Sequence, residues 1–103
     1  YAITNHHKKV GFGVSYPSDL YKYLWYWQSL GGGFGYPWYG RTYNIGLEPF
    51  TSITNEGLQT AIDNKTALLM KAGQRVEASI TAVAYTSELP VSKIDARGNL
   101  SFS

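Results

Sequence analysis

The sequence predicts an all-β chain arranged as an antiparallel β-sandwich, on three observations. Nine Tyr, four Phe and three Trp stand beside eleven Gly in 103 residues, with a good supply of Val, Ile and Thr, a mixture that suits pleated, half-buried surfaces. No window of eleven or more residues keeps apolar positions at helical spacing without a Gly or Pro interrupting it. Turn signals instead separate about six to eight short apolar runs, the pattern of a sandwich.

The elements follow in order. KVGFGVSY, residues 9–16, puts Val10, Phe12, Val14 and Tyr16 on one face and Gly11, Gly13 and Ser15 on the other, which predicts a strand half-buried through its Val/Phe side. Pro17, Ser18 and Asp19 supply a turn. LYKYLWYWQSL then alternates Tyr23, Trp25, Trp27 and Ser29 against Leu24, Tyr26, Gln28 and Leu30. Large rings on both sides predict a central strand, covered on both faces or lining a cleft. GGGFGYPWYG, with five glycines and a proline in ten residues, is a loop carrying aromatic side chains.

YNIGLEPFT is the next strand, and Pro49, which has no N–H to donate, is expected to weaken pairing after Glu48. NEGLQTAIDN predicts a turn or two of helix with Leu58, Ala61 and Ile62 as its apolar edge. TALLMKAGQRVEASITAVAYT predicts two strands around Ala72-Gly73-Gln74, the second aligning Val76, Ala78, Ile80, Ala82 and Ala84 for close sheet packing. A last short hairpin is expected around Arg97-Gly98-Asn99. There is no internal repeat and no low-complexity linker.

Composition also excludes classes of function. With 44% hydrophobic residues the chain has material for a core, and disorder is not expected. The nine Lys and Arg are scattered and the formal charge is +2, so no basic stripe for nucleic acid is present. No apolar run approaches the ~20 residues of a membrane span. Without cysteine, disulfides and thiolate metal sites are impossible, and burial alone must hold the fold. The glycines at 31–35 fit neither GxGxxG nor a P-loop, which argues against nucleotide phosphate. Asn64-Lys65-Thr66 and Asn99-Leu100-Ser101 match the glycosylation pattern but carry no weight, since so short a pattern arises by chance. The chain begins at Tyr1 with no initiator Met or leader and is read as a piece of something longer.

Two constellations can carry chemistry. Glu48 lies inside an otherwise uncharged run, where an unpaired carboxylate costs several kcal/mol to bury. Next to a pairing-breaking proline and an aromatic, Gly-rich loop, it has the surroundings that raise a carboxyl pKa toward working pH. The competing reading pairs it with Arg41 or leaves it exposed on an edge. The second constellation is Trp25, Trp27 and Trp38 with Tyr36, Tyr39 and Tyr43. Flat ring faces stack on the C–H faces of sugars, while Gln28, Arg41 and Asn44 offer partners to hydroxyls; core packing is the alternative. His6 and His7, adjacent in sequence, cannot face one site together from a strand and read as exposed strand-end residues.

The segment WYWQSLGGGFGYPWYGRTYNIGLEPFTS, Trp25 to Ser52, resembles the aldose 1-epimerase, or galactose mutarotase-like, family. There a Trp/Gln strand is followed by a Gly-rich YPWYGR segment and a strand ending in a LEP or LET glutamate. GLQTAIDNKTALLMKAGQRVEASITAVAY is similar to the strand, turn and long final strand that close that domain, so the resemblance runs from about Val10 to Tyr85. It implies that residues 1–103 are the C-terminal part of one galactose mutarotase-like supersandwich domain. It further implies a cytoplasmic, cofactor-independent isomerase, without a metal, that interconverts the α and β anomers of an aldose, with Glu48 as base. In this family some relatives act on phosphorylated sugars and others only bind carbohydrate. Its acid histidines and a sugar-contacting arginine lie upstream of the matching segment, and His6 and His7 do not align with them.

The expected site is therefore Glu48 with Trp27, Gln28, Arg41 and Tyr43 as a sugar-contacting wall. The expected partners are an aldose, the N-terminal part of the same domain and further copies through open strand edges, with neither nucleic acid nor membrane; the chain alone is expected to be inactive. A non-catalytic carbohydrate-binding module and a purely structural sandwich are the rivals.

Overall fold

In the computed structural model, which describes residues 1–53 and 55–103, the chain is all-β with antiparallel sheets and one short helix. Seven strands form among the described residues: β1 (Ala2–Asn5), β2 (Val10–Ser15), β3 (Tyr23–Leu30), β4 (Tyr43–Phe50), β5 (Thr81–Thr86), β6 (Val91–Ile94) and β7 (Leu100–Phe102). Helix α1 spans Leu58–Asp63. No helix is long and apolar enough to cross a membrane among the described residues. Contacts divide the chain into two compact units, one of residues 1–17 with 73–103, the other of residues 18–72.

The first unit is built on a three-stranded sheet ordered β1-β2-β5. Asn5 starts the β1–β2 turn by accepting the Lys8 N–H at 2.9 Å on its side-chain oxygen. Pairing of Thr4 with Gly11, and of Gly11 with Tyr85, sets these three residues side by side across the sheet. Gly11 has no side chain, so the Tyr85 ring lies across it and reaches β1. There its hydroxyl meets Thr4 Oγ1 at 2.8 Å and donates to the Ile3 carbonyl at 3.2 Å. A Cβ on Gly11 would overlap Cζ and Cε2 of that ring. The same face carries Gly13, above which the Ile94 side chain of the β6–β7 hairpin packs.

The expected burial of β2 is thus inverted. The glycine side is the filled one, because Tyr85 and Ile94 occupy the space that side chains would take, while Val10 and Phe12 are exposed and only Val14 of the Val/Phe side is buried. The hairpin after Ile94 turns where expected, around Asp95–Asn99. Asp95 Oδ1 accepts the backbone N–H groups of Arg97 and Asn99, and Oδ2 accepts the Asn99 side-chain amide.

Residues 66–80 depart most from expectation. They form no strand, and the second predicted strand survives only as Thr81–Thr86. The turn at Ala72–Gly73 does form, but the flanking segments do not pair, and β propensity without a partner ladder stabilises nothing. In the second unit α1 forms as predicted, yet only Ala61 is buried while Leu58 and Ile62 stay exposed. Val14, Ala61 and Tyr85 are the buried apolar side chains.

The centre of the second unit is the β3–β4 hairpin, paired over eight positions from Tyr23↔Phe50 to Leu30↔Tyr43. Two expectations change here. Pairing runs on through Pro49 and Phe50; β4 has a neighbour on one side only, so alternate N–H groups point away from β3 and a proline can stand at such a position without removing a ladder bond. β3 is likewise not central among the described residues, having β4 as its one partner, and it lines a cleft instead. The Gly-rich connection closes on itself through Gly31 N–H to Thr42 O at 3.0 Å and Gly40 N–H to Gly33 O at 3.1 Å.

Candidate functional site

Antiparallel pairing of Trp25 with Glu48 and Trp27 with Gly46 puts these four residues on one face of the hairpin, since directly opposed residues share a face. Two features bring the acid and the ring together. Gly46 contributes no side chain, and both neighbours lean over it: a Cβ there would lie 3.2 Å from Glu48 Oε1 and 3.3 Å from Cε3 of Trp27. Trp25 supplies a rigid wall. Its indole N–H donates to Ser52 O at 2.9 Å, and its ring stacks on Phe50 with centroids 4.2 Å apart and planes at 11°.

An open hollow of about 470 Å³ results, lined by Trp25, Tyr26, Trp27, Glu48 and Asn55. Glu48 is half-buried in it and makes no ion pair or hydrogen bond among the described residues. The ion pair with Arg41 does not form: Arg41 is exposed and lines no hollow here. Glu48 is the one charged residue of the lining.

A second hollow of about 260 Å³ adjoins it, lined by Trp27, Gln28, Ser29, Gly32, Gly33 and Trp38. Trp38 is carried there by the Gly-rich loop and meets Trp27 at a centroid distance of 5.4 Å and a tilt of 55°. Ser29 is buried and donates through Oγ to Thr42 O at 3.4 Å.

Of the expected wall, Trp27 and Glu48 share one hollow, and Gln28 lines the other beside Trp27. Tyr43 does not join them. It pairs with Leu30, so it belongs to the opposite face, and it is 78% exposed. Tyr36 and Tyr39 meet edge to face at 6.1 Å on the loop, both exposed. Trp25 and Asn55 enter the site although neither stood in the expected wall; the register opposite Glu48 identifies Trp25, while Asn55, in a loop without periodicity, leaves no signal. His6 and His7 are exposed in the β1–β2 turn of the other unit.

The first unit has its own hollow of about 380 Å³, near Tyr16, Glu77 and Ala96. Its acid is occupied by an ion pair with Arg75. The titratable group held away from its ordinary pKa is Asp95, whose carboxyl is lowered chiefly by the Asn99 side-chain hydrogen bond and further by backbone N–H donors of the turn.

No family model matches the chain, and neither a curated protein nor a solved structure does.

Proposed function

We propose that the Trp25–Trp27–Glu48 hollow binds a free aldose in the cytoplasm and that Glu48 takes the proton from its anomeric hydroxyl, the base step of an aldose 1-epimerase. The observation that carries this reading is a half-buried, unpartnered carboxylate beside two indole rings. An ionised carboxylate only accepts hydrogen bonds and has about four lone-pair sites to fill. Sugar hydroxyls are donors, and the C–H face of the same ring covers an indole, so one ligand satisfies both halves of the hollow.

The step balances without a cofactor. Glu48 removes the O1 proton, the C1–O5 bond breaks as an acid protonates O5, the open aldehyde turns about C1–C2, and reclosure reverses both transfers. By the family resemblance the acid comes from a histidine upstream of the matching segment. A second reading, sugar binding without turnover, has its support in the lining itself, where Glu48 stands as the one charged residue.

Glu48→Gln keeps the shape and removes the base. Anomer equilibration of glucose and galactose by the full-length protein, followed by polarimetry, is expected to slow at least a hundredfold, within the ~10²–10⁴ a positioned proton-transfer group contributes. Unchanged kinetics would remove Glu48 from the reaction. Saturable quenching of tryptophan fluorescence by sugar, with no turnover in either protein, would select the binding-only reading; all three tryptophans line the two hollows, so the signal reports on them.

A further inference from the structure

Resting on the reading that the Glu48 hollow binds an aldose, we infer that the site takes a reducing disaccharide, its reducing ring over Glu48 and its second, uncharged ring in the adjoining hollow against Trp38. Trp27 is the hinge of the argument because it belongs to both linings. Unlike Trp25, which is stacked and hydrogen-bonded at its N–H, Trp27 is 40% exposed and meets Trp38 only at a 55° tilt. It is a shared wall between two hollows, with ring surface left for a ligand.

Spacing fits the occupant. Residues on one face of a strand repeat about every 6.6–6.8 Å, so the stretch from the Trp25/Glu48 pair past Trp27/Gly46 to Ser29/Asn44 spans two such steps, enough for two linked pyranose rings but not three. The chemistry of the second hollow is that of a neutral sugar site: an indole face, the Gln28 amide, the Ser29 hydroxyl and the side-chain-free backbone of Gly32 and Gly33. With no charged residue in that lining, a phosphate or uronate on the second ring has nothing to pair with. Orientation follows from the base. Only the first hollow carries a carboxylate, so the free anomeric hydroxyl belongs there and the glycosidic link leads away toward Trp38.

Isothermal titration of the full chain with glucose, maltose and maltotriose tests this. Maltose is expected to bind at least tenfold more tightly than glucose, and maltotriose no more tightly than maltose. Trp38→Ala is expected to bring the glucose-to-maltose Kd ratio close to one. Equal affinity for glucose and maltose, continued gain with maltotriose, or a ratio untouched by Trp38→Ala each overturn the inference while leaving the aldose site standing. Absence of binding by all three sugars overturns both. If the Trp38 variant does not fold, the chain-length series on the unaltered protein decides alone.

Discussion

Gly11→Ala is a single added methyl with a calculable consequence. The new Cβ would occupy the space of the Tyr85 ring, which lies across Gly11 and is 9% exposed. The ring, held to β5, can only swing out. That exposes a large aromatic surface, at about 1.5–3 kcal/mol, and gives up its hydroxyl contacts with Thr4 and Ile3, at about 0.5–1.5 kcal/mol for each hydrogen bond lost. Replacing glycine in a strand returns about 0.5–1 kcal/mol. We expect a net loss of about 3 kcal/mol, more than a hundredfold in the folding equilibrium of the first unit. Urea titration followed by amide NMR intensities reads each unit separately, and tryptophan emission monitors only the second, which holds all three indoles. The decisive experiment is a double-mutant cycle with Tyr85→Leu, a side chain too short to cross β2. In that background Gly11→Ala should cost close to nothing. A cost of about 3 kcal/mol in both backgrounds would refute the steric account.

Gly46→Ala acts on the site and hardly on the fold. Its methyl presses on Glu48 Oε1 and on the Trp27 ring, and the carboxylate, the free end of a flexible side chain, moves first; glucose affinity should fall several-fold with the urea midpoint within about 0.5 kcal/mol of the parent, and unaltered affinity would show that the carboxylate does not touch the ligand. Asp95 gives a pH prediction. Its folded pKa lies below its unfolded one, so its contribution to the β6–β7 turn is complete above the ordinary aspartate value near 3.9 and is lost as pH falls through the depressed folded value. A ¹³C carboxyl titration should place its midpoint below that of an unstructured aspartate, and Asp95→Asn should abolish the acid dependence of amide protection at Asn99; an ordinary midpoint would contradict the hydrogen-bond account.

What could be read from the sequence was local. Period-two alternation located β2, β3 and β4, and Asp95 through Asn99 announced the last hairpin, because in each case the residues that choose the conformation are neighbours in the chain. Burial was not legible at β2. A Gly-X-Gly face looks empty until a ring from β5 is known to lie across it, and the partner of Gly11 is more than 70 residues away. Residues 66–80 looked like strands by propensity and lacked only something to pair with. In the site, Glu48 stood out as an acid in an apolar run, but its neighbours depended on register. Trp25 joins it and Tyr43 does not because pairing matches odd positions of β3 to even positions of β4, and a slip of one residue would reverse both. Nothing in a twelve-residue connection from Gly31 to Thr42 sets that register by its length.

The route of the chain through its first unit limits how it can be made. β2 and β5 are adjacent in space, yet the whole second unit is threaded between them. Closing that interval costs roughly 4 kcal/mol of chain entropy if the intervening residues are slack, and less once they have condensed by themselves. On a ribosome the β3–β4 hairpin is complete while β5 is still unmade, so β1 and β2 must wait, one flank bare, for the last fifth of the polypeptide. A break anywhere after Ala72 would therefore strand the opening residues and spare the tryptophans.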